Sequence, residues 1–170
     1  MQTEIKTATT VTAQPLPAKK QTPMTEQPSP ATEQTLVHLP LGLLGFEQFK
    51  RFELVRNPAE EPFEWLLSTE DPMLGFLVIS PFILVPSYQP DIDPQDTAFL
   101  ELGDPADAMV LSTVTLQSHG VATLNLKGPI VFNRHTLVGK QVVPRNAVEY
   151  STRYPLAHTK LAYDNARTQS

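Results

Sequence analysis

The sequence predicts a mostly β fold, a compact antiparallel β-barrel-like domain with one or two short helices. Short runs of alternating or apolar residues recur along the chain and are separated by turn residues, which is typical of antiparallel sheets. The 170 residues include 17 prolines against 7 glycines, and proline interrupts long helices because it lacks the amide hydrogen. At 41% apolar residues, the chain is long enough for one domain with a core.

The clearest strand pattern lies in residues 122–143. Polar and apolar side chains alternate up to residue 127, which places Asn125 and Lys127 on a polar face. The pair Gly128-Pro129 ends this strand, and two further strands are predicted over 130–132 and 141–143. We expect these three strands to form an antiparallel meander whose polar positions face a partner.

The ends of the chain differ from its middle. Residues 1–34 contain no aromatic residue and no glycine, five prolines, and many Thr, Gln and Ala residues. Such a composition buries too little apolar surface to offset the entropy of ordering. We therefore expect a disordered tail over 1–34, a β domain over 35–156 and a flexible C-terminal tail over 157–170.

The first half of the domain is predicted to contain three strands, over 35–39, 52–56 and 63–68. A tight turn over 40–47 separates the first two, with two glycines three residues apart and Phe46 as a core anchor. One helical turn is expected over 48–50. The third strand carries Trp65, the single tryptophan of the chain, and we predict that it fills the core.

The second half is predicted to alternate buried strands with short connections. The apolar run over 75–80 should be a strand buried on both faces, with Phe76, Val78 and Ile79 in the core. Residues 81–88 should be extended at a sheet edge. A helix is predicted over 94–102, with Asp93 as N-cap and Gly103 at its end. A long strand follows over 108–116, and a hairpin turn over 117–120.

The charges are unevenly distributed along the chain. The net charge is −5, which disfavours direct binding of nucleic acid. Residues 57–126 hold eleven acids and neither Lys nor Arg, whereas residues 127–170 hold seven bases and two acids. One interpretation is a solvated surface that happens to segregate. The other is an acidic face that attracts a basic partner.

No strong catalytic or metal-binding motif is present in the sequence. The chain has no Cys and four scattered His residues, so neither a thiolate site nor a His-based zinc motif is predicted. No apolar run is long enough for a membrane span, and no signal peptide is predicted. Two alternatives to a protein-binding module remain open. One is a hydrolase that uses Glu64 with Glu70 or Asp71, and the other is a small RNA-binding barrel.

Six short segments together resemble the flagellar assembly factor FliW family over about residues 35–156. They are LLGFE (43–47), FEWLLS (63–68), DP (71–72), NLKGPI (125–130), GKQ (139–141) and YSTRY (150–154). Two positions depart from the family pattern, because Leu44 replaces the proline of its GLPGFE turn and Gly128 replaces a common alanine. The resemblance makes Gly42, Gly45, Phe46 and Pro129 fold determinants.

The resemblance implies a cytoplasmic, non-enzymatic protein without cofactors. FliW-like proteins bind the translational regulator CsrA, a basic RNA-binding β-dimer, and prevent it from silencing flagellin mRNA. They also bind flagellin, which displaces CsrA and restores repression. Neither direct nucleic-acid binding nor a membrane partner is implied.

We expect the acidic half of the chain to meet the basic surface of CsrA. The Asn125 side chain has a second possible role, since it could satisfy a buried backbone group. The predicted partner contacts are Glu60, Glu61, Glu64, Glu70, Asp71, Tyr88, Asn125 and Lys127.

Overall fold

A computed structural model describes residues 31–117 and 120–156 of the chain. These residues form nine strands, two short α-helices and three 3₁₀ turns at Pro58–Glu60, Pro105–Asp107 and Ala147–Glu149. This confirms the prediction of a mostly β fold with few short helices. The strands and helices are β1 (Glu33–His38), β2 (Arg51–Arg56), β3 (Glu64–Ser68), β4 (Gly75–Ile79), α1 (Pro81–Leu84), α2 (Pro94–Phe99), β5 (Ala108–Leu116), β6 (Ala122–Leu124), β7 (Ile130–Asn133), β8 (Gly139–Gln141) and β9 (Tyr154–Pro155).

The two predicted tails lie mostly outside the described residues. Strand β1 begins at Glu33, two residues before the domain boundary that the sequence predicted at residue 35. Residues 1–30 and 157–170 are not described, so the prediction of two disordered or flexible ends stays a prediction.

The strands form one antiparallel system in the order β1-β2-β3-β4-β5-β6-β9, and β7 pairs with both β5 and β8. The sheet is not closed into a barrel by a continuous ladder. Within the described ranges, one isolated parallel bridge between His38 and Val138 connects β1 to the segment before β8.

Strand β5 organises this sheet because it pairs with three other strands. It pairs with β4 through Ser112–Val114, with β6 through Val114–Leu116 and with β7 through Ala108–Leu111. The predicted meander of three consecutive strands is therefore wrong. Strands β6 and β7 do not pair with each other but lie one after the other along β5, since the chain is interrupted at residues 125–129 without reversing. Of the three strands of the predicted meander, only β7 and β8 pair with each other. The predicted hairpin connection over 117–120 is confirmed by the antiparallel pairing of β5 with β6.

Two groups of buried side chains form most of the core. The larger one joins β1, β2, β3 and β7 and includes Phe52, Leu66 and Phe132, all fully buried. The smaller one packs Ile79 and Tyr88 against Leu124 and Leu126. A fully buried side chain of this size contributes roughly 1.5–3 kcal/mol. The predicted burial of Val78 and Ile79 is confirmed, and Phe76 packs half-buried against the larger group.

Several local predictions are corrected by the structure. Trp65 does not fill the core, because its neighbour Leu66 is fully buried and strand alternation turns Trp65 outward, where it is 36% exposed. Residues 81–88 are not extended, since Pro81 starts the helix α1 and the Val85 N–H closes it on the Pro81 carbonyl.

One of the two predicted helical segments is shorter than expected, and the other does not form a helix. Asp93 caps α2 as predicted, with its carboxylate accepting the Gln95 N–H at 2.8 Å. The helix nevertheless ends at Phe99, because Glu101 adopts a left-handed φ of 53° before Gly103 is reached. Residues 48–50 form no helix, although the Phe49 N–H bonds the Phe46 carbonyl in a turn.

The turn between β1 and β2 requires its two glycines for different reasons. Gly42 and Gly45 have φ values of +70° and +85°, which lie in the left-handed region. A Cβ at Gly42 would lie 2.6 Å from the Glu47 Cα, whereas a Cβ at Gly45 would meet nothing within 4 Å. Gly42 is therefore required by close backbone packing as well as by its dihedral angle.

Gly42→Ala should lower the free energy of unfolding by about 3 kcal/mol, because it adds a backbone clash to the left-handed strain. Gly45→Ala is the matched control and should lose only about 1 kcal/mol, from strain alone. Urea unfolding of both variants measures the difference. Equal losses would contradict the close packing at Gly42.

Candidate partner-binding surface

The acidic segment of the sequence does not form one uninterrupted acidic face. The basic residues after residue 126 fold back onto it, so that three of its acids are paired. Asp91 accepts two hydrogen bonds from Arg145, at 3.0 and 2.8 Å. Lys140 forms an ion pair with Asp96, and the His135 Nε2 lies 2.9 Å from Asp107. The charge segregation seen in the sequence is thus partly neutralised in the fold.

The pKa shifts of these groups follow from the pairs. The hydrogen bond from His135 lowers the pKa of Asp107, with help from the Asp104 N–H. The hydrogen bond to Asp91 raises the pKa of Arg145. These pairs join the loop before α2, the helix α2 and the 3₁₀ turn before β5 to the C-terminal third of the domain, and they therefore have a structural role.

Glu64 is largely enclosed rather than free on the surface. Its side chain is 13% exposed and pairs with the Arg56 guanidinium at 3.2 Å, which also reaches Glu33 at 3.5 Å. Both partners line a cavity of about 160 Å³ at the end of the sheet, together with Phe82 and Arg134. A substitution at Glu64 would therefore disturb a packed ion pair as well as any partner contact.

Glu70 and Asp71 hold the turn between β3 and β4 and the start of β2. The Glu70 carboxylate accepts the N–H groups of Lys50 at 2.7 Å and Arg51 at 3.2 Å. These two backbone hydrogen bonds lower the pKa of Glu70. Asp71 accepts the Met73 N–H at 2.9 Å. Both carboxylates thus bind backbone donors of their own domain.

Tyr88 lies in the core, so the structure offers no Tyr88 surface to a partner. It is 2% exposed, and its hydroxyl donates to the Leu126 carbonyl at 2.7 Å. Its ring packs edge-on against Tyr150, with centroids 4.7 Å apart. Burial raises the pKa of the Tyr88 phenol. The sequence analysis predicted Tyr88 as a partner contact, and the structure instead places it in the core.

Asn125 and Lys127 lie in the interruption between β6 and β7. The Asn125 Oδ1 accepts the N–H groups of Lys127 and Gly128, both at 3.1 Å. The second role suggested by the sequence, bonding to backbone groups, is therefore the one the structure shows. The Lys127 side chain is half-buried, and among the described residues it forms no ion pair.

Glu60 and Glu61 remain as two adjacent exposed carboxylates in the connection between β2 and β3. Asn57 starts this connection by accepting the Ala59 N–H at 3.0 Å, which caps the 3₁₀ turn. In residues 31–117 and 120–156, neither glutamate forms an ion pair. Of the predicted contacts, they are the most accessible to a basic partner.

The sequence analysis missed an exposed apolar surface on the outer face of β1 to β4. We call it the outer sheet patch; its most exposed members are Leu36 at 64%, Leu67 at 37% and Trp65 at 36%. The strand register places Val55 and Leu77 on either side of Trp65. The signal was present in the alternation of β3, where Leu66 and Ser68 point inward and Trp65 and Leu67 point outward. The outer sheet patch consists of Leu36, Val55, Trp65, Leu67 and Leu77.

Among the described residues, no group of three or more His, Asp or Glu side chains is arranged to hold a metal ion. In the same part of the chain, no helix is long and apolar enough to cross a membrane.

The fold and these surfaces define a small antiparallel β-sheet domain whose candidate carboxylates largely serve its own turns and ion pairs. Sequence comparison assigns this domain to a protein family. The family model of FliW, described as FliW protein, matches residues 20–156. The chain belongs to the FliW family.

Individual relatives agree with this assignment. The flagellar assembly factor FliW of Leptospira interrogans serovar copenhageni is 37% identical over 113 residues, covering 65% of this chain and 75% of that protein. The Moorella thermoacetica protein of the same name is 34% identical over 133 residues, covering 77% and 84%. A crystal structure of the flagellar assembly factor FliW superposes with a TM-score of 0.65 at 34% identity, covering 74% of this chain and 87% of that one.

Asn125→Ala should lower the free energy of unfolding by about 1–3 kcal/mol, because two backbone donors lose their acceptor. Lys127→Ala is the neighbouring control and should change it by no more than about 0.5 kcal/mol. Chemical denaturation of both variants tests this assignment. If Asn125→Ala were as stable as the wild type, its hydrogen bonds would not hold the interruption.

Proposed function

We propose that this protein is a non-enzymatic flagellar assembly factor that binds CsrA and relieves its repression of flagellin mRNA. It also binds flagellin, and free flagellin displaces CsrA, so that flagellin synthesis is adjusted to flagellin demand. The observation that carries the proposal is membership of the FliW family over most of the chain. Because relief of CsrA repression acts on the translation of flagellin mRNA, the proposal includes a cytoplasmic location.

The charge of the protein supports attraction to a basic regulator. The net charge is −5, and summed charge raises the rate at which oppositely charged proteins meet. Glu60 and Glu61 are the acids proposed for this contact, since they are exposed and adjacent. Glu64 contributes indirectly, because its ion pair with Arg56 holds the strand that follows them.

The charge distribution also favours a protein partner over RNA. Several bases that would have to contact phosphate are bound to carboxylates, including Arg56, Lys140 and Arg145. Binding of RNA depends on free basic side chains along a groove with aromatic platforms. Lys127 lies in the interruption between β6 and β7 and is retained as a second contact candidate for either protein partner.

The double variant Glu60→Lys/Glu61→Lys should bind CsrA about tenfold more weakly at low salt, because each reversal replaces an attraction by a repulsion. The difference should shrink as the salt concentration rises, since exposed charges are screened. Titration of labelled CsrA at several salt concentrations measures both effects.

The matched control is Glu4→Lys/Glu26→Lys, which changes the net charge by the same amount at residues outside the described domain. It should bind CsrA nearly as the wild type does. If both double variants lost affinity equally, attraction would depend on net charge alone. If neither lost affinity at low salt, Glu60 and Glu61 would not belong to the interface.

A further inference from the structure

The first part of strand β5 has a free edge on the side of β4. Strand β4 pairs with β5 only at Ser112–Val114. If this register continued, Pro81 would stand opposite Val110, but proline has no N–H for a ladder and instead begins α1. In the described part of the chain, residues 108–111 therefore pair with β7 on one edge and with no strand on the other.

The backbone groups of Val110 point to this free edge, because such groups alternate between the two edges of an antiparallel strand. The Asp107 carbonyl accepts the Arg134 N–H at 2.8 Å beside β7. The Thr113 carbonyl accepts the Asn125 N–H at 3.0 Å beside β6. The even-numbered Val110 therefore directs its N–H and C=O to the opposite edge. In residues 31–117 and 120–156, no other backbone group bonds to either of them.

The cavity beside this edge has room for one large apolar side chain. Its volume is about 160 Å³, and a cavity of roughly 150 Å³ holds a benzene ring. Phe82, Met109 and Leu111 contribute to its lining. Phe82 is 42% exposed and its neighbour Ile83 is 53% exposed. The apolar surface therefore continues from the cavity onto the outside of α1.

The charges around the cavity favour a basic partner. The connection between β2 and β3 begins after Arg56 and ends before Glu64, and both of these residues line the cavity. Their charges compensate each other in an ion pair at 3.2 Å. The exposed Glu60 and Glu61 of the same connection then attract bases to this side of the cavity. Because Arg134 also lines the cavity, the bases of a partner have to lie toward the connection.

We propose that an extended segment of the basic partner binds along the free edge of β5 as an additional short strand. The Val110 N–H and C=O bind its backbone, and one apolar side chain of the segment enters the cavity beside Phe82. A basic side chain of the segment meets Glu60 and Glu61. In this mode of recognition, main-chain hydrogen bonds provide affinity and a side-chain pocket provides specificity. The inference rests on the proposed function, because it takes CsrA as the basic partner.

Hydrogen exchange of single amides tests the proposal in the full chain, measured by NMR with and without saturating CsrA. In the free protein, the Val110 amide should exchange at least about tenfold faster than the Met109 amide, which faces β7 and pairs with Phe132. In the complex, the exchange of Val110 should slow by about tenfold or more, because its N–H gains an acceptor. Val148, which is 89% exposed, is the control and should exchange equally fast in both states.

The same titration distinguishes a wrong binding mode from a wrong partner. If CsrA saturates the protein and the exchange of Val110 does not change, the added strand is overturned and the proposed function stands. If CsrA does not bind at all, the proposed function and the added strand are both overturned.

A variant that fills the cavity gives an independent readout. Ser80 lines the cavity, and its side chain makes no capping hydrogen bond to α1. Ser80→Leu should therefore keep the urea midpoint of the wild type but weaken CsrA binding by about tenfold or more. Ser87→Leu is the matched control, because Ser87 is exposed and does not line the cavity, and it should bind CsrA as the wild type does. Equal affinities of the two variants would overturn the proposal.

Discussion

The interruption between β6 and β7 is the constraint on which the rest of this fold depends. It lets one long strand, β5, pair with two successive strands along its length. Asn125 stabilises the interruption by accepting two backbone N–H groups, and Pro129 follows without an amide hydrogen of its own. The Gln141 side chain joins this interruption to the turn between β1 and β2. It donates to the Gly128 carbonyl at 3.0 Å and accepts the Leu44 N–H at 2.9 Å. Three segments that carry the FliW resemblance thus meet through one amide side chain.

Many of the polar side chains stabilise the fold itself by binding backbone groups or opposite charges of the same domain. Glu70 binds the backbone where β2 begins, and Asp91 and Asp96 bind bases from the C-terminal third of the domain. Two surfaces that do remain exposed are the Glu60–Glu61 connection and the outer sheet patch. The first is acidic, and the second is apolar. The two surfaces differ in chemistry, so they can serve different contacts.

The sequence predicted the local features well and the long-range pairings poorly. Strand β5 matches its prediction from residue 108 to residue 116, and the Asp93 cap was found, because alternation and capping are local signals. The meander was wrong, since nothing in residues 122–143 specifies that β6 and β7 share β5. Trp65 was misplaced because the expectation rested on residue type instead of on its position in β3, where it precedes the buried Leu66 and shares a face with the outward-facing Leu67. The charge segregation was real in the sequence, but only the fold reveals that Arg145 and Lys140 return to Asp91 and Asp96.

We propose that this chain acts by binding CsrA and flagellin in turn. Cell-free translation of a reporter behind the flagellin mRNA leader tests it most directly, with CsrA added first, then the full chain, then flagellin. We expect CsrA to repress the reporter, the chain to restore translation, and excess flagellin to return the reporter to the repressed level. A reporter that stays repressed when the chain is in excess over CsrA would contradict the proposed function.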